Sequence, residues 1–376
     1  MHRVLVIGTV ETKAAELDAL AEAISAQGLA PEILDISLRA EDVVLAGPDK
    51  LALMETRVAE TSARALERAP GCLAALAIGG GTGGEMAFAV LRALPDALPK
   101  VLLSTMAFDP RAAVADTSVV LIPTLCDIEG VNPMLRGAFA TAAAMVAGLA
   151  HHKGPARSPR PSVAVTTLGA TGAAGAGVAR ALDAHGYDAT VFHANGYGGA
   201  AFTRMVQAGG LAGVIDLNVH ELGRLRLAGV SVPMPERFTA AGALPRIVLP
   251  GALNFLGLGT LDTLSEAHRA RPHYRHSGHF THVKLTTAEM EDQAKALAQA
   301  LNAATGPTHV LLPMGGFSHE DRPGGAIEDA NLRSIAATVL EAEARAYTTE
   351  RLPTHINAPA TATAAVDALL QRIPDA

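Results

Sequence analysis

The chain has 376 residues and a formal net charge of −7, and 49% of it is hydrophobic although only 3% is aromatic. This composition argues against intrinsic disorder, which needs low hydrophobicity and high net charge. The acidic balance argues against a nucleic-acid-binding protein, whose surface must be basic. No uninterrupted run of about 20 apolar residues could cross a bilayer, so we expect no membrane partner.

Length at roughly 150 residues per domain predicts two domains. In the first half, apolar runs bounded by Gly and Pro alternate with Ala-rich segments of helical period, which predicts a parallel, doubly wound sheet. The predicted strands are 3–9, 31–37, 72–78, 100–104 and 118–122, and the predicted helices are 11–27, about 51–68, a segment ending at 94, and 134–150.

Residues 151–162 break this pattern, since they are rich in Pro, Lys and Arg and lack apolar periodicity, as a linker does. We therefore predict domains at 1–150 and 163–376, both α/β, facing one another across a cleft. The second set of predicted strands is 162–168, 188–193, 213–217, 246–249 and 309–312, and the predicted helices are 171–185, 199–208, 287–304 and 327–348.

A glycine-rich loop follows the third predicted strand and precedes a helix. Backbone N–H groups without neighbouring Cβ atoms can approach an anion closely, and a helix N-terminus adds partial positive charge. The loop therefore predicts phosphate or carboxylate binding, although a tight turn without a ligand is the alternative. Its residues are Gly79, Gly80, Gly81, Thr82, Gly83 and Gly84.

The first predicted strand ends in a second loop of this kind, which contains Gly8, Thr9, Glu11, Thr12 and Lys13. The threonine hydroxyls and the lysine suit a phosphate, and the glutamate is a candidate magnesium ligand. An ordinary helix start, with a threonine cap and an acid in the first turn, explains the same residues.

Residues 169–175 form a third glycine-rich loop, with the spacing G-x-x-G-x-x-G. A dinucleotide-binding turn also needs an acid at the end of the next strand. That strand ends in His193 and Ala194, so NAD is the weaker alternative. His193 precedes a further turn that could bind an anion, with glycines at Gly196, Gly198 and Gly199.

Three more polar residues are candidates for catalysis. Asp216 lies at a strand end with Glu221 close behind it, and these carboxylates could act as acid and base or bind magnesium through Asp216. His355 brings another imidazole near the C-terminus. The alternative is that Asp216 caps a helix and Glu221 is solvated.

Histidines also recur between residues 268 and 282, where Pro and Gly indicate a loop. A solvated or subunit-contacting loop and a zinc site are both compatible with this spacing.

Cys72 and Cys126 lie in apolar runs, so we expect two buried, reduced thiols. No signal-peptide pattern opens the chain, and we expect a cytoplasmic location.

Together, these segments resemble the UPF0261 family, the Tm-1-like ATP-binding proteins. The resemblance implies two Rossmann-like subdomains, binding of ATP with Mg²⁺ and a homodimer, but no established reaction. The segments that carry it include Gly8-Thr9 with Thr12-Lys13 and Glu16, Gly79 to Gly84, Asp127-Ile128-Glu129-Gly130, His193-Ala194-Asn195-Gly196, Gly251-Ala252-Leu253 and His355-Ile356-Asn357.

Three functions follow as hypotheses. The first is a nucleotide-binding protein, with the further option of an ATP- and Mg²⁺-dependent enzyme that acts on a small carboxylate metabolite. The second is a non-catalytic regulatory module that binds ATP. The third is a cofactor-free hydrolase or lyase, in which His193, His220 or His355 acts as the base and the glycine-rich loops hold a substrate carboxylate.

Overall fold

A computed structural model describes residues 2–39, 47–106, 109–149 and 158–374. The chain divides into two compact units, Met1–Ala156 and Arg157–Ala376. Of the predicted linker at 151–162, residues 151–157 lie outside the described part, and Ser162 already belongs to a strand. In the described part, no helix is long and apolar enough to cross a bilayer.

The first unit is built on a five-stranded parallel sheet of order β2-β1-β3-β4-β5. Its strands are β1 Arg3–Gly8, β2 Ala30–Asp35, β3 Cys72–Gly79, β4 Lys100–Ser104 and β5 Val120–Pro123, and its helices are α1 Val10–Ala26, α2 Gly47–Arg68, α3 Gly81–Ala93, α4 Pro110–Ala113 and α5 Pro133–Leu149.

Strand β1 shows why both faces of this sheet are covered. Its side chains alternate in direction, so Val4 and Val6 pack with α1 and α5, whereas Leu5 and Ile7 pack with α2 and α3. The interior of β1, from Val4 to Ile7, is therefore a continuous apolar run, as expected of a parallel sheet buried on both sides.

The second unit contains a six-stranded parallel sheet of order β14-β13-β9-β8-β6-β7 and a three-stranded antiparallel sheet of order β10-β12-β11. Its strands are β6 Ser162–Thr167, β7 Asp188–His193, β8 Leu211–Asn218, β9 Arg246–Gly251, β10 Phe255–Leu258, β11 His273–Arg275, β12 Thr281–Lys284, β13 Thr308–Pro313 and β14 Tyr347–Leu352. Its helices are α6 Gly172–Ala184, α7 Gly198–Ala208, α8 His220–Arg226, α9 Glu266–Arg269, α10 Thr287–Asn302, α11 Ala330–Ala342 and α12 Pro359–Leu370.

Helices again cover both faces of the parallel sheet. Val163 and Val165 of β6 pack with α6 and α12, whereas Ala164 packs with α7. The predicted α/β class, with two doubly wound parallel sheets, is confirmed.

Two predicted elements of the second unit are wrong. The helix predicted at 327–348 is α11, which ends at Ala342, and the chain then enters strand β14 at Tyr347. The histidine-rich stretch predicted as a loop contains β11 and β12, which pair antiparallel with one another. Helices α8 and α12 were not predicted.

Candidate functional site

The first sheet has a topological switch point between β1 and β3. Strand β1 leads into α1 on one face of the sheet, and β3 leads into α3 on the opposite face. Loops that leave in opposite directions open a crevice at the carboxyl ends of the strands, which is where doubly wound folds bind ligands. The loops at Gly8–Thr9 and at residues 79–84 meet here.

Only part of the glycine-rich loop needs glycine for packing. A Cβ on Gly79 would lie 2.4 Å from the Gly84 backbone nitrogen, and one on Gly84 would lie 2.9 Å from the Gly79 oxygen. A Cβ on Gly81, in contrast, would meet nothing within 4 Å. Neither packing nor a positive φ requires glycine at position 81, and its small size leaves open space in front of the helix.

Helix α3 begins beside this space with unpaired donors. Its N-cap residue is Gly80, which has no side chain to cap the helix. Among the described residues, none accepts a hydrogen bond from the N–H of Gly81, Thr82 or Gly83. These N–H groups carry the partial positive charge of the helix N-terminus, so the end of α3 is suited to an anion.

The first loop lies against the glycine-rich loop. A Cβ on Gly83 would lie 3.5 Å from Thr9 Cγ2, which is ordinary contact distance. Thr9 Oγ1 and Thr12 Oγ1 are 2.8 Å apart, and Lys13 Nζ donates to Glu129 Oε2 at 2.6 Å. The Glu129 side chain is 80% exposed, so this ion pair is weak and Lys13 can exchange it for another anion.

These two loops and their neighbours enclose a cavity of about 370 Å³. It brings together most of the residues predicted for the first unit, and it adds three charged residues that sequence reasoning missed as site residues. The lining residues are Thr9, Glu11, Thr12, Lys13, Leu38, Lys50, Gly79, Gly80, Gly81, Thr82, Gly83, Met86, Asp127 and Glu129.

The three missed residues are Lys50, Asp127 and Glu129. Lys50 Nζ donates to Thr82 Oγ1 at 3.3 Å. Asp127 and Glu129 follow β5, so the rule that ligands bind at the carboxyl ends of strands could have identified them. Lys50 lies on helix α2, and its position in the sequence gave no signal of this kind.

Two carboxylates, half-buried Asp35 and buried Glu16, connect neighbouring segments at this edge of the sheet. Asp35 Oδ1 accepts hydrogen bonds from the Val10 and Ser37 N–H groups, at 3.1 and 2.9 Å. Burial opposes ionisation of Asp35, but hydrogen bonds from the Ser37 and Arg39 side chains lower its pKa to about 2. Glu16 Oε1 accepts from the Gly130 N–H at 2.7 Å, which ties the loop after β5 to α1.

The predicted magnesium ligands are not assembled into a metal centre. Glu11 lines the cavity, but its Oε2 accepts a hydrogen bond from the Arg39 N–H at 3.1 Å. Asp216 belongs to the second unit. In the described part of the chain, no group of three or more His, Cys, Asp or Glu residues is placed to hold a metal ion.

Asp216 is fully buried between two arginines. Its Oδ2 accepts from Arg237 Nη1 at 2.9 Å and from Arg246 Nη2 at 2.7 Å, and its Oδ1 accepts from Thr166 Oγ1 at 2.6 Å. Burial opposes ionisation, but the charge and hydrogen bonds of Arg237 lower the pKa of Asp216 to about 2. The predicted catalytic and metal-binding role therefore gives way to a structural one, because both oxygens are occupied.

The turn at residues 196–199 binds an anion, and that anion is Glu221 of the same unit. Glu221 Oε1 accepts from the Gly196 and Gly199 N–H groups at 2.9 Å each, and Oε2 accepts from Arg237 Nε at 2.7 Å. A Cβ on Gly198 would lie 2.1 Å from the His193 oxygen, so this glycine closes a tight turn. The predicted phosphate contacts of Gly196, Gly198 and Gly199 and the catalytic role of Glu221 are replaced by these internal contacts.

The two histidines that were predicted to be catalytic, His193 and His355, differ in their hydrogen bonds and exposure. His355 Nδ1 accepts from the Asn357 N–H at 3.0 Å, so Nε2 carries the proton and donates to the Ser318 oxygen at 3.0 Å. Both nitrogens are thus used, which leaves His355 no lone pair for a substrate. His193 lies exposed at the end of β7.

Comparison with known proteins identifies the family. Residues 48–155 match the N-terminal domain, and residues 160–373 the C-terminal domain, of the uncharacterised protein family UPF0261. UPF0261 proteins of Mesorhizobium japonicum and Rhizobium meliloti are 32% and 31% identical, over 96% and 98% of both chains. The ToMV resistance protein Tm-1 of Solanum lycopersicum is 30% identical over 80% of this chain and 41% of its own length.

Proposed function

The chain belongs to the UPF0261 family, as its motifs indicated, and we propose that its first unit binds ATP through the phosphates, together with Mg²⁺. The observation that carries the proposal is the N-terminus of α3. Its unpaired N–H groups face the space that Gly81 leaves open, at the switch point of a doubly wound sheet.

The charges that line the cavity suit a phosphate chain with a divalent cation. Lys13 and Lys50 supply positive charge, and the carboxylates of Glu11, Asp127 and Glu129 line the same cavity. Magnesium is commonly held by one or two carboxylates together with substrate phosphates. The residues present therefore fit Mg²⁺ delivered with ATP better than a metal bound by the protein alone.

None of the described residues that line the cavity is aromatic, and the sequence has no Trp. Base stacking therefore contributes little, and the phosphates supply most of the affinity. The volume of about 370 Å³ lies in the ordinary range for small-molecule sites.

Isothermal titration calorimetry with ATP, ADP, tripolyphosphate and adenosine, each with Mg²⁺, tests this proposal. We expect ATP to bind most tightly, tripolyphosphate to retain most of the affinity, and adenosine not to bind. Binding of adenosine as tight as that of ATP would show that the phosphates are not the recognised group.

Gly81→Leu locates the site. Leucine is a good helix former and finds open space at position 81, so the fold is retained while the cavity is filled, and we expect ATP affinity to fall at least 30-fold. Gly137→Leu is the matched control, because Gly137 also lies in a helix with nothing within 4 Å of its Cβ position. Equal affinities of the two variants would place the nucleotide elsewhere.

We further propose that the protein is cytoplasmic and forms a homodimer. Cys72 and Cys126 are free thiols, which suits a cytoplasmic location where ATP is available. The homodimer that the resemblance implies is measured by light scattering. Phosphate release from ATP, assayed with and without small carboxylates, distinguishes an ATP-dependent enzyme from a regulatory module that only binds ATP.

A further inference from the structure

A second cavity of the first unit, with a volume of about 650 Å³, adjoins the proposed ATP cavity. Gly81 and Asp127 line both cavities, so the two meet at the N-terminus of α3. The other lining residues follow from the carboxyl ends of β4 and β5, which are neighbours in the sheet. A molecule in this second cavity would therefore lie beside the phosphates of ATP. The lining residues are Gly81, Thr105, Met106, Pro123, Leu125, Cys126 and Asp127.

Two of the lining residues have a backbone conformation that favours glycine. Met106 and Leu125 have φ values of +56° and +59°, in the left-handed region that other L-residues seldom adopt. Ser104 connects the two segments, because its Oγ accepts from the Met106 N–H and its backbone oxygen accepts from the Thr124 N–H, both at 3.1 Å. These bonds hold the lining in place without a ligand.

Leu125 indicates that this lining serves more than the fold. Its side chain is 85% exposed, and none of the hydrophobic clusters in the described part of the chain includes it. An exposed leucine is common by itself, but here a strained backbone holds the side chain at the edge of a cavity. Strained residues cluster at ligand sites. An apolar ligand would remove Leu125 from water, which favours binding.

The charge of the lining indicates what kind of ligand fits. Met106, Pro123 and Leu125 form an apolar wall, and Asp127 supplies the only formal charge among the described lining residues. Asp127 Oδ1 accepts from the Ile128 N–H at 2.8 Å, and among the described residues Oδ2 has no partner. Since no described lining residue is basic, the cavity suits a cation and disfavours a carboxylate. Phosphates bound beside it would strengthen this preference.

We propose that this cavity binds a small primary amine with an apolar body. The ammonium group pairs with Asp127, and the hydrocarbon part packs on the apolar wall. Bound ATP increases the affinity for the amine, because its phosphates attract the ammonium group. That increase rests on the proposed function, whereas binding of the amine itself does not. Glu11 and Glu129 line the ATP cavity but not this one, so they remain available to Mg²⁺.

The thiol of Cys126 gives a local measure of occupancy, because it lines the cavity. Cys126 and Cys72 are both free and half-buried. Cys72 lies at the opposite end of β3 from the glycine-rich loop, so it serves as an internal control. The full chain reacts with iodoacetamide at neutral pH, and mass spectrometry follows each cysteine separately.

Three probes with the same six-carbon chain compare the head groups: hexylamine, 1-hexanol and heptanoate. Each is used at about 10 mM, at which a ligand with a millimolar Kd occupies most of its sites. We expect hexylamine to slow alkylation of Cys126 at least about threefold and to leave Cys72 unchanged, and the other two probes to have less than half that effect. No protection of Cys126, or equal protection by all three probes, would overturn the proposal.

The same assay with ATP and Mg²⁺ separates this proposal from that of the ATP site. We expect the hexylamine concentration that gives half-maximal protection to fall at least about threefold when ATP is bound. If calorimetry shows ATP binding while hexylamine gives no protection, only the amine site is refuted. If hexylamine protects Cys126 while calorimetry shows no ATP binding, only the ATP proposal fails.

Two variants assign the protection to this cavity. Asp127→Asn removes the charge and keeps an acceptor for the Ile128 N–H, and its control is Asp18→Asn, the same change at an exposed position of α1. Leu125→Asn shortens the apolar wall with a residue that tolerates the left-handed conformation. We expect the half-protective concentration of hexylamine to rise at least about fivefold in Asp127→Asn and Leu125→Asn and to stay unchanged in Asp18→Asn. A parental value in Asp127→Asn would refute the pairing with the ammonium group.

Discussion

Asp216 illustrates how a polar residue at a strand end can serve the fold. Its carboxylate shares two arginines with the rest of a fully buried network. Removal of one member leaves buried guanidinium groups without their counterion, and such losses cost about 3–5 kcal/mol. The same carboxylate on the surface would contribute little.

We therefore predict that Asp216→Asn lowers the free energy of unfolding by about 3–5 kcal/mol. Asp292→Asn, which breaks the exposed pair with Arg226, should cost less than about 1 kcal/mol. Urea unfolding of both variants measures the difference. If the two variants lost equal stability, the network around Asp216 would not hold the second unit together.

For individual residues, the sequence indicated which type of group a segment binds better than it indicated which residue supplies that group. The glycine turn at 196–199 was predicted to bind the phosphate of a ligand, but the anion that it binds is Glu221, more than 20 residues away in the sequence and adjacent only in the folded unit. In the first unit, the residues from Gly8 to Lys13 and from Gly79 to Gly83 meet as expected, because each group follows a strand of the same parallel sheet.

The mispredicted strands of the second unit are the edge strand of its parallel sheet and the short strands of its antiparallel sheet. Strand β14 is an edge strand with mostly exposed side chains, so it lacks the apolar run that signals a buried parallel strand. Strands β11 and β12 are three and four residues long, too short for alternation to be recognised. The central strands of both parallel sheets, which are mostly apolar, were all predicted.

The antiparallel sheet and α8 together keep two histidines neutral, which makes the stability of the second unit depend on pH. Burial is the main cause that lowers the pKa of His220 to about 3 and that of His282 to about 2. In the unfolded chain both titrate near 6.5, so below that pH the unfolded state binds more protons. Stability is therefore complete above pH 6.5 and falls as the pH drops towards 3.

For each of these histidines, we predict a loss of about 2 kcal/mol between pH 6.5 and 5. His220→Asn keeps a donor for the Ala252 oxygen but does not titrate, so its free energy of unfolding should fall about 2 kcal/mol less than that of the parent over this range. The exposed His279 gives the control, His279→Gln, which should follow the parent. Parallel pH profiles for all three proteins would contradict the prediction.

For the whole molecule, the two units share a strand order. The strand order of the first sheet is β2-β1-β3-β4-β5. The second sheet has the matching order β7-β6-β8-β9-β13, with β14 added at the edge. Helices α3 and α8 therefore occupy equivalent positions, each after the third strand of its sheet. The first begins with glycines and leaves its backbone N–H groups open, whereas the second begins with the buried His220.

Each unit has its own hydrophobic cores, so we predict that the two can be separated. Residues 1–156 and 158–376, expressed apart, should each unfold cooperatively, since the buried clusters lie within one unit or the other. The first piece should keep the response to ATP and Mg²⁺, as measured by thermal shift. A piece that folds but has lost its response would show that its ligand also requires residues of the other unit.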